Sequence, residues 1–115
     1  MSGDTVFDRI LRRELPVRIV HEDGEVLAFH DAHPQAPVHV LVIPKKKVAD
    51  LEGLAELPAE EAGRFLQAVA GVARRLGLAE SGYRVVINCG KDANQTVAYL
   101  HAHILGKRHL GWPPG

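Results

Sequence analysis

The sequence of 115 residues has little cysteine, few aromatic residues and no net charge. A single cysteine, Cys89, can form neither an intramolecular disulfide nor a metal site built from several thiolates. The 14 basic and 14 acidic residues cancel, so the positive surplus with which proteins hold duplex nucleic acid is missing. No run approaches the roughly 20 apolar residues of a membrane span, and Asp4 and Asp8 stand where a signal peptide is basic and then apolar. We therefore expect a cytoplasmic protein that binds neither nucleic acid nor membrane.

What the sequence does contain is an ordinary apolar fraction, 46%, and seven histidines. The length and composition are typical of one soluble domain with a single core of packed layers. No repeat, low-complexity tract or change in composition divides the chain. We therefore expect residues 1–115 to form one domain.

The hydrophobic pattern predicts two helices. Residues 4–15 carry apolar side chains three and four positions apart, with Asp4 available as the N-cap and Pro16 as the stop. The second helix begins at about Leu57, has a proline in its first turn and ends at Gly77. Its apolar stripe consists of Phe65, Leu66, Val69, Val72, Ala73 and Leu76.

Strand signals occur on both sides of the second helix. Asp23-Gly24 lies between two β-prone runs, 17–21 and 25–29, and predicts a hairpin. Residues 38–43 form the most apolar strand, and residues 83–88 and 96–105 form two more. The sequence therefore predicts an α+β domain with a mainly antiparallel sheet and two helices.

The last predicted strand carries two histidines. Alternation places His101 and His103 on one face, roughly 6.5 to 7 Å apart, and a small and aliphatic set on the other, buried face: Ala98, Leu100, Ala102 and Ile104. The preceding turn, 88–96, supplies amides that could hold an anion. Three interpretations remain open: a zinc site with His39 as a third ligand, nucleophilic or acid–base catalysis by imidazole, and histidines with a structural role only.

Several segments together resemble the histidine triad (HIT) family. Residues 30–46, then Asn88, then Gln95-Thr96-Val97 leading into residues 101–106 match its pattern in collinear order over nearly the whole chain. The opening 4–7 and the ending 112–115 resemble its nucleoside phosphoramidase (Hint) branch. The resemblance implies a HIT domain that forms a homodimer and binds a purine nucleotide. It also implies hydrolysis of the bond from the α-phosphate to an amine or similar leaving group, through a nucleotidyl-histidine and without a metal or other cofactor.

The resemblance also implies roles for individual residues. His101 is the nucleophile, His103 lies near the phosphate and leaving group, and His39 is a buried orienting histidine. Asp31 matches the carboxylate that binds the ribose hydroxyls. The other implied site residues are Asn88 and Thr96 at the phosphate or leaving group, Asn94, Gln95 and Val97 in the phosphate loop, and Phe7, Phe29, His30, Ala32 and Leu41 in the base pocket.

The sequence departs from the family pattern at four positions. Tyr99 replaces the first triad histidine, Asn94 and Lys107 replace glycines, and Lys47 replaces a frequent histidine. We expect catalysis to survive with altered rate or selectivity, and Asn94 to narrow the phosphate loop or to require an unusual backbone angle. Tyr99 and the apolar tail around Trp112 motivate an alternative, a nucleotide-binding dimer with weak catalysis that acts through protein interactions.

Overall fold

The computed structural model describes residues 3–115, so residues 1 and 2 of the expected domain lie outside the described residues. Within this range the chain forms three helices and five strands. In chain order they are α1 (Val6–Leu11), β1 (Ile19–Glu22), β2 (Val26–His30), β3 (Val38–Pro44), α2 (Leu51–Leu54), α3 (Ala59–Arg75), β4 (Tyr83–Val86) and β5 (Ala102–Gly106). In this described part of the chain, no helix is long and apolar enough to cross a membrane.

The five strands form one sheet in the order β1-β2-β3-β5-β4, and every neighbouring pair is antiparallel. The predicted α+β class, antiparallel sheet and first hairpin are therefore confirmed. The hairpin turn is stabilised by Asp23, whose Oδ1 accepts hydrogen bonds from the amides of Glu25 and Val26 at 2.8 and 2.9 Å.

The sheet has two faces of different character. The core face carries Ala28, Val40, Val42, Ala102 and Ile104, and α3 packs against it through Phe65, Val69, Val72 and Ala73. The histidine face carries Leu27, Phe29, Leu41, Ile43 and His103, and it is covered by Phe7 and Ile10 of α1 together with Tyr99. The functional candidates concentrate on the second face.

The first helix begins and ends inside its predicted range. Its N-cap is Thr5, not Asp4: Thr5 Oγ1 accepts the Asp8 amide at 3.2 Å, and Asp8 Oδ2 accepts the Thr5 amide at 2.8 Å. Asp4 instead pairs with Arg12 at 2.7 Å. The helix ends at Leu11, well before Pro16, because Arg13 adopts a left-handed conformation with φ of 63°.

The other helices also correct the prediction. Pro58 is the N-cap of α3 and lies before its first turn, and Leu66 is 51% exposed, so it is not part of the buried stripe. The short helix α2 was not predicted. Four residues are too few to show a helical period, and its N-cap, Asp50, is recognisable only from the hydrogen bond that it accepts from the Gly53 amide at 3.0 Å.

The last strand is much shorter than predicted. It begins at Ala102, so the alternation expected over 96–105 does not apply to Tyr99 or His101, and both are buried. Residues 95–101 lie outside the sheet and contact the segment after β3 at both ends: the Leu100 amide donates to the Val48 carbonyl at 2.7 Å, and Gln95 Nε2 donates to the Ala49 carbonyl at 2.9 Å. Likewise β4 ends at Val86, and Asn88 lies beyond it. Ala98, expected on the buried face, is exposed.

Candidate active site

The site lies on a row of residues that crosses the histidine face. Strand register places Phe29 opposite Leu41, Leu41 opposite His103, and His103 opposite Val86. His39 is two residues before Leu41 on the same strand face and so lies diagonally beside His103. Residues 64 positions apart in the sequence are thereby in direct contact.

His39 and His103 form a hydrogen-bonded pair. The Gln35 amide donates to His39 Nδ1 at 3.0 Å, and His39 Nε2 lies 2.9 Å from His103 Nδ1. Because an amide can only donate, His39 Nδ1 must be an acceptor, and its proton is on Nε2. His39 therefore donates to His103 Nδ1, and the proton of a neutral His103 is on Nε2, where it is available to a ligand.

His101 has the opposite tautomer. Its Nδ1 lies 2.7 Å from the Tyr99 carbonyl, which can only accept, so Nδ1 carries the proton and Nε2 has a free lone pair. The His101 ring centroid is 5.0 Å from that of His103, and Phe7 packs edge-on against His101 at 4.9 Å. With 6% of its surface exposed, His101 is a shielded imidazole with a nucleophilic nitrogen.

Burial keeps the paired histidines uncharged at neutral pH. Burial, together with the nearby rings of His101 and His39, lowers the pKa of His103 to about 4, against the opposing effect of the Asp31 carboxylate. Burial also lowers the pKa of His39, against the opposing effect of the Asp31 carboxylate. The neutral forms preserve the chain of donors and acceptors from Gln35 through His39 to His103.

Asp31 follows β2 and joins this pair. Its Oδ2 lies 3.5 Å from His39 Nε2, its Oδ1 accepts the His33 amide at 2.8 Å, and its own amide donates to the His39 carbonyl at 2.9 Å. One ligand atom each from Asp31, His39 and His103 lies within 4.8 Å of the others, so this group could hold a metal ion. The zinc interpretation of the sequence used His101 with His103 and His39; in the structure His101 is not part of this group, and Asp31 takes its place.

The structure brings together only part of the expected base pocket. Phe7 packs edge-on against Phe29 with ring centroids 5.8 Å apart, and Leu41 lies beside Phe29 in the sheet. His30 shares a strand with Phe29 but alternation turns it to the core face, and its pKa is lowered by burial and by Arg18. Ala32 is exposed. Phe7, Phe29 and Leu41 therefore form an apolar wall next to His101, and His30 and Ala32 lie outside it.

The expected phosphate loop lies before the buried segment. Asn94 has φ of 62°, which is the unusual, left-handed backbone angle expected for a residue that replaces glycine at this position. The Gln95 side chain closes the loop: its Oε1 accepts the Gly90 amide at 2.9 Å, and its Nε2 donates to the Val97 carbonyl at 3.0 Å. Asn94, Gln95 and Thr96 line a cavity of about 450 Å³. Neither Thr96 nor Asn88 forms a side-chain hydrogen bond with the histidines in residues 3–115.

Main-chain atoms are the site components that the sequence did not reveal. The Gln35 amide and the Tyr99 carbonyl set the two histidine tautomers, and no side-chain pattern reports such contacts. Lys47 is a further missed neighbour: its Nζ lies 2.8 Å from Asp8 Oδ2 and 5.9 Å from the Tyr99 ring centroid. The sequence does not indicate this ion pair, because 39 positions separate Lys47 from Asp8.

Comparisons with known proteins agree with this architecture. The HIT domain profile matches residues 12–110. An uncharacterized HIT-like protein of Synechococcus elongatus is 54% identical over 116 residues, which span 100% of both chains. A 14 kDa zinc-binding protein of Zea mays is 49% identical over 117 residues, which span 99% of this chain and 90% of the maize protein.

A solved structure gives the same result for the fold. The crystal structure of a HIT family hydrolase from Legionella pneumophila has a TM-score of 0.89 and 40% identity, with 96% of this chain and 98% of that chain covered. The chain therefore has the fold of HIT family hydrolases, and it belongs to the HIT domain family.

Proposed function

We propose that the protein is a nucleotidyl hydrolase that cleaves purine nucleoside phosphoramidates through a covalent nucleotide on His101. The observation that carries this proposal is the 2.7 Å hydrogen bond from His101 Nδ1 to the Tyr99 carbonyl, which leaves Nε2 as the free lone pair. The HIT family hydrolase fold supports the reaction class. The P–N bond, the purine base and the independence from metal are our inferences from the resemblance of the sequence to the phosphoramidase branch.

In the first step, His101 Nε2 attacks the α-phosphorus and the bond from phosphorus to the amine breaks. The amine leaves with the bonding electron pair and takes the proton of the Thr96 hydroxyl, which the attacking water restores in the second step. His103 donates its Nε2–H to a phosphoryl oxygen and stabilises the charge there. The product is a nucleotide joined to His101, whose ring still carries the proton on Nδ1 and is now positively charged.

The Tyr99 carbonyl stabilises this charged ring, because a hydrogen bond with one charged partner is about twice as strong as a neutral one. In the second step, water attacks phosphorus, the P–N bond breaks, and its electron pair returns to His101 Nε2. The proton that water loses replaces the one given to the amine. The nucleoside monophosphate then dissociates, and no metal ion takes part in either step.

We assign substrate recognition to the residues around the histidines. Asp31 accepts hydrogen bonds from the ribose hydroxyls, and Phe7, Phe29 and Leu41 contact the base. We also propose a homodimer. Its support is the edge strand β4, on which Tyr83 and Val85 are 38% and 39% exposed, and the tail residue Trp112, which is 82% exposed. The mass of the protein in solution tests this assembly.

The decisive experiment is turnover of adenosine 5′-phosphoramidate with and without a chelator, followed by rapid quenching and mass analysis. We expect chelator-resistant release of AMP and a transient nucleotide on His101. His109→Ala is the matched control, since His109 is exposed and has no assigned role. A nucleotide on His103 would contradict our choice of nucleophile. Nucleotide binding without turnover would instead support the alternative function, a nucleotide-binding dimer that acts through protein interactions.

A zinc-dependent protein is the second candidate. It is favoured by the group formed by Asp31, His39 and His103, and by the similarity to the zinc-binding protein of maize. Zinc would use His39 Nε2 and His103 Nδ1 as ligands and would replace the 2.9 Å hydrogen bond between them. Loss of turnover in chelator, restored by stoichiometric zinc, would favour this candidate over the first.

A further inference from the structure

We infer that Tyr99 is a positioning residue for the nucleophile: its side chain fixes the main-chain carbonyl that selects the tautomer of His101. The inference rests on the proposed function and assigns to Tyr99 a role specific to this sequence. The Tyr99 carbonyl itself accepts from His101 Nδ1 at 2.7 Å, so any displacement of this residue is transmitted directly to the imidazole.

The segment that carries Tyr99 needs anchors because it is not part of the sheet. The β5 ladder begins only at Ala102. Before it, the Leu100 amide donates to the Val48 carbonyl at 2.7 Å, and the Tyr99 hydroxyl donates to the Pro44 carbonyl at the end of β3. These two hydrogen bonds hold the residues just before His101 against one stretch of main chain.

The Tyr99 ring is fixed on its other sides as well. It is completely buried, and Phe7 packs edge-on against it with centroids 6.0 Å apart. Lys47 Nζ lies 5.9 Å from the ring centroid and is itself held by Asp8 at 2.8 Å. Tyr99 and Lys47 are two of the positions at which the sequence departs from the HIT pattern, and the structure makes them neighbours.

The hydroxyl acts as a permanent donor. Burial, and to a lesser extent the Asp8 carboxylate, raise the pKa of Tyr99 to about 12, so the hydroxyl keeps its proton throughout the neutral range. It therefore exchanges no proton in the reaction. Its effect on catalysis passes through the main chain, which keeps the proton of His101 on Nδ1 and leaves Nε2 free.

Tyr99→Phe tests the inference, with Ser81→Ala as the control that removes a hydroxyl from an exposed residue outside the site. The tautomer of His101 is read from its ring ¹⁵N signals, and turnover of adenosine 5′-phosphoramidate gives kcat and KM. We expect the Nδ1–H form in the unaltered protein and an added Nε2–H population in Tyr99→Phe. We also expect kcat to fall about 10-fold, as for a small misplacement of a reacting group, while KM changes less than about 2-fold.

An unchanged tautomer together with an unchanged kcat in Tyr99→Phe would overturn the inference. If the unaltered protein shows no turnover but the variant still shifts the tautomer, the positioning role stands and the proposed function fails. The ring signals come from folded molecules, so lost stability does not imitate the effect. Should Tyr99→Phe not fold, Lys47→Met replaces it, with the exposed neighbour Lys46→Met as control; identical tautomers and kcat in that pair would contradict the inference.

Discussion

The two faces of the sheet use the same strands for different purposes. The core face is covered by α3, a helix of 17 residues, and its fully buried side chains are all apolar. The histidine face is covered by α1, a helix of six residues, and by the buried ring of Tyr99. Asp31, His39, His101 and His103 all belong to this second side.

The difference shows how a small domain can carry buried polar groups. Each large aliphatic side chain buried on the core face contributes about 1.5 to 3 kcal/mol, with no polar atom to satisfy. On the histidine face, burial requires hydrogen-bond partners for the inner ring nitrogens, while Nε2 of His101 and Nε2 of His103 stay free for a ligand. Main-chain atoms of Gln35 and Tyr99 supply two of these partners, so the site depends on the backbone positions of two segments outside the strands.

The largest contrast is expected between two adjacent residues, Leu100 and His101. Leu100 belongs to the core under α3, so Leu100→Ala should lower the free energy of unfolding by about 2 to 5 kcal/mol, while the folded fraction keeps its turnover. His101→Ala should reduce turnover at least about 10³-fold, with much less loss of stability. Denaturant unfolding and phosphoramidate assays on both variants measure the contrast. An equal loss of turnover per folded molecule in Leu100→Ala and His101→Ala would contradict the assignment of stability to the core face and of catalysis to the histidine face.

The pH dependence of stability should come from the histidine face. The pKa of His103 is about 4 in the folded protein, against an ordinary value of 6.5, so between these values the unfolded chain binds more protons. The free energy of unfolding should therefore fall as the pH is lowered from about 6.5 to 4, by about 1 to 3 kcal/mol. The lowered pKa of His39 acts in the same direction.

Denaturant titrations at a series of pH values test this effect. His103→Gln should flatten the dependence in that window, because glutamine does not titrate. His109→Gln, at an exposed position, should leave it unchanged. An undiminished slope in His103→Gln would mean that the acid sensitivity originates elsewhere in the molecule, whereas a smaller remaining slope is expected from His39.

The same substitution can be made at one buried phenylalanine on each face, so the effects on the two faces can be compared at equal side-chain size. Phe65 and Phe7 are 4% and 5% exposed, and each lies on the helix that covers its face. Phe65→Leu and Phe7→Leu should each cost about 1 to 2 kcal/mol of stability. Only Phe7→Leu should raise KM, by about 10-fold, since Phe7 also contacts Phe29 and His101. A matching rise in KM for Phe65→Leu would show that KM responds to lost stability in general.

The core face follows from local sequence patterns. The hairpin signal at Asp23-Gly24, the apolar strand before Pro44 and the stripe of α3 all lie within short windows, and each predicted element is present. The predicted burial of Leu66 is wrong because the helical period alone does not show where a buried stripe ends. The helix α2 was missed because four residues are too few to show a helical period. The errors on this face are therefore small: one residue of the stripe and one helix of four residues.

The histidine face depends on contacts between distant positions. The residues 96–101 have the alternation and composition of a strand, but hydrogen bonds to the chain after β3 compete with strand pairing and prevail. The family resemblance implied that His39 orients the nucleophile His101, whereas in the structure His39 is hydrogen-bonded to His103, a contact that no local pattern contains. The resemblance did not reveal the hydrogen bond from the Tyr99 hydroxyl to the Pro44 carbonyl. Tyr99 departs from the family pattern, and 55 positions separate it from Pro44.

The smallest effect concerns the helix cap on the histidine face, where sequence and structure differ. The sequence favours Asp4 as the cap of α1, whereas the structure has Thr5 in a reciprocal pair with Asp8. Thr5→Ala should cost about 1 kcal/mol, because an amide in the first turn loses its acceptor. Asp4→Ala should leave the free energy of unfolding nearly unchanged, since its ion pair with Arg12 is exposed. Because α1 carries Phe7 against His101, Thr5→Ala should also raise KM slightly. An equal loss of stability in Thr5→Ala and Asp4→Ala would contradict Thr5 as the N-cap and favour Asp4.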